Sequence, residues 1–303
     1  MDPYKGRDWD SLQRWLDRLI DEVAVIDEQV SEIDNTELSD MAQATIKGRA
    51  SGAGTGDPQD LTASQVLTIL GAFSGLAIQA FTSNSTYTPA TGMKYCIVIA
   101  TGGGGGGGGA DTDGGSASIG VGGGGGAGET RIAVFTAAQI GANQSVTIGA
   151  AGSAGTNAGG AGGNGGNTTF GALITSNGGS GGDGSGTGAT SNPEQAGGAG
   201  GSGGSGGALG ISGGYGEYGI GSAVDGTTDS VMAQSGSGGA SFWGGGGATV
   251  ARSQSSLTND AQDAGINGQA YGSGGSGALC LTATTGAAGG AGAAGVCLVV
   301  EFT

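Results

Sequence analysis

Glycine triplets are the feature that most limits how this chain can fold. The stretch GGAGGSGGSGGA, residues 197–208, carries a side chain only at every third position, and shorter GGx repeats occur at 159–167 and 178–183. Three residues is the repeat of the polyproline II helix, which places each x on one edge and bare backbone on the others. The free N–H and C=O groups are then available to neighbouring helices. The triplets predict a bundle of polyglycine II helices, with a flexible linker as the alternative.

Strand-like segments surround the glycine runs and favour the folded interpretation. Their apolar patterns predict strands at Tyr95–Ala100, Thr130–Phe135, Gln144–Gly149, Phe170–Thr175 and Val296–Phe302. The first and last of these bracket the glycine-rich region. A linker has no reason to be closed at both ends by strands that need partners.

The N-terminal region carries a heptad pattern. Large apolar residues alternate three and four positions apart, as in the a/d seam of a coiled coil. They are Trp9, Leu12, Leu16, Leu19, Val23, Ile26, Val30 and Ile33. β-branched residues at both a and d favour three or more helices, so all of these except Trp9 are predicted trimerisation contacts. An amphipathic helix lying on another domain is the alternative.

The predicted organisation is a fibrous, multi-domain chain. An attachment peptide at 1–8 is followed by a trimeric α-helical coiled coil at 9–45 and by a linker with a short helix at 46–78. In the linker, DLTASQVLTIL reads as a helix capped by Asp60 or Thr62 and ended by Gly71. The last domain, 79–303, combines β-strands with the polyglycine II helix bundle.

Composition excludes several function classes. The chain has no histidine, so neither a histidine-based catalytic triad nor a histidine metal site can form. The net charge is −16, and only Arg131 and Arg252 are basic after residue 100, which disfavours nucleic acid as a partner. No apolar run is long enough to insert into a membrane. We therefore expect no catalytic residue, metal or cofactor, and no enzymatic activity.

The three cysteines have no metal-type spacing. Cys96 and Cys297 lie in apolar strand-like runs and Cys280 stands apart, so small buried hydrophobic residues are the simplest interpretation. A disulfide between Cys96 and Cys297 is the alternative, if their strands are neighbours. The charged start MDPYKGRDWD lacks a signal-peptide pattern, so synthesis in a cytosol is expected.

Several segments, in order, resemble bacteriophage tail fibres and tail adhesins with a glycine-rich C-terminal domain. They include IKGRASGAGTGDPQDLTASQVLTIL, YCIVIATGGGGGGGGA, GGNTTFGALITSNGG, SGGASFWGGGGA and GGAGAAGVCLVVEF. The resemblance implies a homotrimeric fibre of the virion, made in the host cytoplasm and joined through its N-terminus to other tail or baseplate proteins. It also implies that loops of the tip touch a polysaccharide or an outer-membrane protein of the bacterial surface.

Loops between the glycine runs are the expected binding surface. Four polar segments are candidates: 110–118, 188–197, 223–235 and 251–265. Aromatic rings give rigid contact area, so the receptor-binding candidates are Tyr215, Tyr218, Trp243 and Tyr271. A packing role is the alternative for Phe170, and for Phe242 or Trp243.

The expected function is therefore a tail fibre whose glycine-rich tip binds a host receptor during adsorption. One alternative is a purely structural virion fibre, such as a collar whisker or connector. Another is an ice-binding polyglycine II protein, which needs a flat, regular face.

Overall fold

The chain divides into two compact units, Met1–Ser74 and Gly75–Thr303. A computed structural model describes residues 14–24, 46–48, 50, 52–53, 59–71, 75–111, 118–185, 193–223, 231–254, 261–281 and 285–303. Helices in these residues are α1 (14–24), α2 (Ala63–Leu70) and α3 (Ala137–Ile140). The predicted attachment peptide, 1–8, lies outside the described residues.

The predicted fold class is wrong, because no long coiled coil is seen in the described residues. Regular structure in the described residues is mostly β-strand in antiparallel sheets, with only short helices. Of the heptad residues, Leu16, Leu19 and Val23 lie in α1 and are exposed, and the others lie outside the described residues. The heptad assignment also left out Trp15 and Ile20, which make the apolar surface of α1 broader than an a/d seam.

The short helix α2 matches the prediction. The Thr62 side chain accepts a hydrogen bond from the Gln65 N–H, and the Gln65 side chain accepts one from the Thr62 N–H, which is a capping box. Gly71 ends the helix in the left-handed region, with φ at 65°. Because no residue of α2 is buried, its stability rests on these caps and on contacts made by its apolar face.

The strands in chain order are β1 (Ile46–Gly48), β2 (Gln59–Leu61), β3 (Leu76–Phe81), β4 (Ser85–Tyr87), β5 (Tyr95–Thr101), β6 (Ile119–Val121), β7 (Thr130–Thr136), β8 (Gln144–Thr147), β9 (Thr168–Phe170), β10 (Ile174–Ser176), β11 (Glu194–Gln195), β12 (Leu209–Ile211), β13 (Gly219–Ala223), β14 (Val231–Gln234), β15 (Ala251–Gln254), β16 (Ala261–Asp263), β17 (Leu279–Leu281) and β18 (Val296–Phe302). β1 and β2 pair in the first unit. One predicted strand, Phe170–Thr175, is instead divided between the end of β9 and the start of β10 by a turn at residues 171–173, where Gly171 adopts a φ of 51°.

Two sheets form one end of the second unit, which we call the base. A five-stranded sheet in the order β12-β7-β5-β18-β3 faces a four-stranded sheet in the order β10-β9-β8-β4. The side chains between them include Tyr87, Cys96, Val98, Phe135, Ile140, Val146, Phe170, Ile174, Cys297 and Val299. Gly75 and Thr303 exchange backbone hydrogen bonds, so the start and end of this unit meet at the base.

Two smaller sheets form the opposite end, which we call the tip. One has the order β11-β13-β14-β15 and the other β16-β17-β6. They share a small apolar core made of Ile119, Val121, Val231, Ala233, Leu279 and Leu281. The glycine runs connect the base to the tip.

The octaglycine run 102–109 lies inside a bundle of extended chains. Its residues Gly105, Gly106 and Gly107 donate 2.8–2.9 Å hydrogen bonds to three different neighbours, the runs 122–129, 160–166 and 287–293. The pattern repeats every three residues, and three further runs donate back to its carbonyl groups: 152–155, 179–185 and 275–278. Six hydrogen-bonded neighbours around one chain is the packing that a threefold helix without side chains permits.

The position of a run in this bundle matches its composition. The runs 102–109, 122–129 and 272–278 are surrounded and fully buried, and they contain only glycine apart from a few small residues and Glu129 at one end. Runs at the surface carry the GGx triplets, with the larger x residues exposed, as at Asn164 and Asn167. At about 3.1 Å per residue, the octaglycine run separates base from tip by about 25 Å.

Substitution of Gly105 tests this packing. A Cβ on Gly105 would overlap the Ser180 carbonyl oxygen, whereas a Cβ on Gly245 would meet nothing. We expect Gly105→Ala to lower the free energy of unfolding by more than about 3 kcal/mol, because a backbone contact cannot relax. Gly245→Ala, the matched control, should stay within about 1 kcal/mol of wild type. Urea unfolding measures both, and equal effects would contradict the bundle.

A buried ion pair fixes the segment between the bundle and β12. The Arg131 Nη1 atom lies 2.6 Å from Glu129 Oε1, and Glu129 is almost fully buried. The Arg131 guanidinium also donates to the Gly204 and Gly206 carbonyls, at 2.7 and 2.6 Å. Glu129 Oε2 in turn accepts the Gly204 N–H at 2.8 Å. The pair therefore satisfies backbone groups of this segment as well as its own charges.

Removing one partner of this pair should be costly. We expect Arg131→Leu to destabilise the chain by about 3 kcal/mol, because it leaves the Glu129 carboxylate buried without its counter-charge. Arg252→Leu is the matched control, since the Arg252–Asp263 pair is more exposed, and it should have a much smaller effect. Thermal unfolding of both variants at neutral pH measures the difference. Similar melting temperatures would show that the buried pair adds no stability.

Candidate receptor-binding surface

The described ends of the predicted polar segments lie at the tip. The described chain leaves and rejoins there at Asp111 and Ser118, Ser185 and Pro193, Ala223 and Val231, and Gln254 and Ala261. The middle of each segment lies outside the described residues. Parts predicted as loops are strands instead: β11, β14, β15 and β16. Their hydrogen bonds to β13, β14 and β17 replace the loop conformation that their polar residues indicated.

The outer face of the tip sheet holds a shallow cleft of about 440 Å³. Ile220 of β13 and Met232 of β14 line it, and both are more than half exposed. Arg252 of β15 lies at its side and bridges to Asp263 of β16 through two hydrogen bonds of 2.5 and 2.7 Å. The hydrogen bonds from Arg252 lower the pKa of the Asp263 carboxyl group. The sequence analysis missed Ile220 and Met232, although the alternation in VMAQ marks Met232 as the outward residue.

Two of the four predicted aromatic residues lie on one surface run that leads into the tip. Tyr215 is 74% exposed and Tyr218 57% exposed, and Gly219, which starts β13, follows directly. Because they are three residues apart on an extended threefold chain, both project from the same edge, about 9 Å apart. This run packs between the runs 198–201 and 237–240.

The other two predicted aromatic residues lie at the base. The Trp243 indole N–H donates to Thr101 Oγ1 at 2.8 Å, and Trp243 is partly buried. Tyr271 is exposed and precedes Gly272, which packs against the Thr101 side chain. The structure therefore separates Trp243 and Tyr271 from Tyr215 and Tyr218. The packing role suggested for Phe170 is confirmed, because this side chain is fully buried.

Polar x side chains of the surface runs complete the bundle's hydrogen bonds. Asn164 Oδ1 accepts the Gly181 N–H at 2.9 Å, and Asn167 Oδ1 accepts the Gly178 N–H at 3.0 Å. Asn267 Oδ1 accepts the Ala291 N–H in the same way. These asparagines close the open side of neighbouring runs, so their carbonyl oxygens are already used within the bundle.

The titratable groups inside the base are enclosed. Glu301 is fully buried; its Oε1 accepts from Gln79 and from the Ala90 N–H, and its Oε2 has no hydrogen-bond partner among the described residues. Burial, together with the neighbouring Glu301 carboxyl group, raises the pKa of the Tyr87 hydroxyl. Burial also raises the pKa of Cys96, and that of Cys297 to about 12. The side chains of Tyr87, Cys96, Cys297 and Glu301 are therefore shielded from solvent in the base core.

Neither a metal site nor a membrane span is found in the part of the chain that the structure describes. No three or more of its cysteine, aspartate or glutamate side chains are grouped to hold a metal ion. None of its helices combines the length and the apolar character that crossing a bilayer requires.

The chain belongs to the glycine-rich domain family, whose sequence pattern matches residues 79–300. No curated protein matches the chain.

All three cysteines are buried thiols, as the simplest interpretation of the sequence predicted. Cys96 and Cys297 lie on neighbouring strands, but Cys96 pairs with Glu301 and Cys297 with Ala100, so their register keeps the two thiols apart.

This burial predicts unreactive thiols. Iodoacetamide attacks the thiolate, and raised pKa values keep Cys96 and Cys297 protonated at about pH 8. We expect intact-mass spectrometry to show no adduct on the folded chain and three adducts after unfolding in guanidinium. Alkylation of the folded chain at the rate of a free cysteine would contradict the enclosed base.

Proposed function

We propose that this protein is a phage tail fibre whose tip binds a receptor on the surface of a bacterial host during adsorption. The observation that carries the proposal is that the two ends of the second unit differ. Its connection to the rest of the chain lies at the base, beside Thr303, whereas the described ends of its polar segments lie at the tip, about 25 Å away along the bundle. A rod with one end for attachment and one for contact suits an adhesin.

The binding surface that we propose consists of the tip cleft and the adjoining tyrosines. Ile220 and Met232 offer apolar contact area, and Tyr215 and Tyr218 offer rings with hydroxyl groups. Such rings contact sugar faces or protein side chains without losing much conformational entropy. The bundle beneath is held by backbone hydrogen bonds, so changes in these side chains leave it intact. A surface polysaccharide or an outer-membrane protein is the proposed receptor.

The remaining parts of the proposal concern assembly. The N-terminal unit is proposed to join the fibre to other tail or baseplate proteins, with copies of the chain associating as a homotrimer. We assign no catalytic residue and no cofactor. The protein would be made in the host cytoplasm and would act in the virion.

Binding to intact bacteria tests the receptor role. The fluorescently labelled chain is incubated with a panel of bacterial strains, and the amount retained on the cells is measured. We expect saturable binding to a narrow set of strains. Tyr215→Ala with Tyr218→Ala should weaken it at least about tenfold, since anchoring aromatic residues carry much of the energy of an interface.

Tyr271→Ala is the matched control, because it removes an exposed tyrosine ring that lies at the base and not beside the tip. It should leave the affinity for cells within about twofold of wild type. Binding that is lost with Tyr271→Ala and kept with the Tyr215 and Tyr218 changes would reject the tip as the binding surface.

A further inference from the structure

The outer face of the five-stranded base sheet is apolar although no described element covers it. An antiparallel sheet with one buried face normally carries polar residues on the other. Here the inner face packs in the base core, and the outward residues include Leu76, Ile78, Val134 and Leu209, which are 52–62% exposed. No outward residue of the five strands is charged.

The outward side chains form one continuous layer because the strands are in register. Ile78 pairs with Val300, which pairs with Ile97, and Ile97 pairs with Val134. At the edge of the sheet Leu209 pairs with Ile132. A continuous layer of this kind does not arise from scattered surface apolar residues, which are common and carry no meaning singly.

An aromatic group extends this face toward the bundle. The outward residue Thr101 accepts the indole N–H of Trp243, so Trp243 and its neighbour Phe242 border the sheet. Tyr271 lies beside them, since Ala270 approaches Gly244 and Gly272 approaches Thr101. The sheet alone covers about 20 by 20 Å in projection. That is about half of the roughly 800 Å² that each partner of a stable complex buries, and the aromatic border adds to it.

We propose that this face, the base sheet exterior, is an interface between copies of the chain. The chain carries a net charge of −16, yet this face is neutral, so two copies meet here without burying a charged group. A partner that recognises the chain by opposite charge would need the acidic groups that this face lacks. The inference deepens one part of the proposed function, the association of copies, by naming the surface involved, and it does not depend on the receptor role, which the binding of the chain to cells tests separately.

Helix α1, in the other unit, also favours further copies of the chain as the partner. Leu16, Leu19 and Val23 are each more than 40% exposed there. In the described residues, each unit thus exposes a group of apolar side chains. Further copies of the chain cover both faces, whereas a separate partner would have to be supplied for each.

Molar mass tests the interface. The full chain is made with Leu16→Glu and Leu19→Glu, which removes association through α1, and is studied by sedimentation equilibrium at micromolar concentration. We expect a mass of at least two chains of 28.3 kDa each, because copies still associate through the base sheet exterior. Adding Ile78→Glu and Val134→Glu should return it to 28.3 kDa, with the far-ultraviolet circular dichroism unchanged. Adding Met232→Glu, an exposed apolar strand residue of the tip, is the control and should not change the mass.

The reactivity of introduced cysteines shows what covers the base sheet exterior. The native cysteines are buried, so Ile78→Cys and Met232→Cys each add one exposed thiol. In chains with native α1, we expect Ile78→Cys to react with maleimide at least tenfold more slowly as the protein concentration rises, and Met232→Cys to react equally fast throughout. A monomeric mass in the first experiment overturns the proposal. The proposal is also overturned if the Ile78→Cys thiol reacts with maleimide as fast as an exposed thiol at every protein concentration. It is overturned as well if this thiol reacts slowly at every concentration, because the chain would then cover its own sheet.

Discussion

The backbone hydrogen bond between neighbouring glycine runs is the interaction on which the second unit depends. Gly105 to Gly126 and Gly106 to Gly163 are two examples of a bond that recurs every third residue around the run 102–109. Such bonds are individually modest. Here they replace a side-chain core, and they form only if the chains approach so closely that a Cβ would overlap a neighbouring carbonyl group. The need for glycine in the inner runs follows from this distance.

Conventional apolar cores are confined to the two ends. The base buries aromatic and branched side chains between two sheets, and the tip does so on a smaller scale. Strands such as β5 and β18 continue the runs of the bundle directly into the base. The cores therefore hold the runs in register, while the bundle holds the two ends apart. Side chains at the tip are consequently free to differ without affecting the scaffold.

Prediction from the sequence worked where a local pattern determines the structure. Apolar patterning located β5, β7, β8 and β18, and Thr62 and Gly71 marked the ends of α2. It did not work where a local signal competes with a longer-range one. Phe170–Thr175 was predicted as one strand because its residues are apolar, but the turn at Gly171 folds it into a hairpin. The heptad pattern wrongly predicted a coiled coil, because Trp15 and Ile20 also lie on α1 and make its apolar surface broader than an a/d seam.

The sequence by itself determined the three-residue repeat, the strands that flank it and the absence of histidine chemistry, since each depends on which residues are adjacent in the chain. It also indicated aromatic residues as candidate contacts. Only the tertiary structure decided that Tyr215 and Tyr218 adjoin the tip while Trp243 and Tyr271 lie at the base. It also decided that the outward sides of five distant strands form one apolar face. These placements depend on which runs become hydrogen-bonded neighbours, and runs of nearly identical glycine triplets carry little local information about that choice.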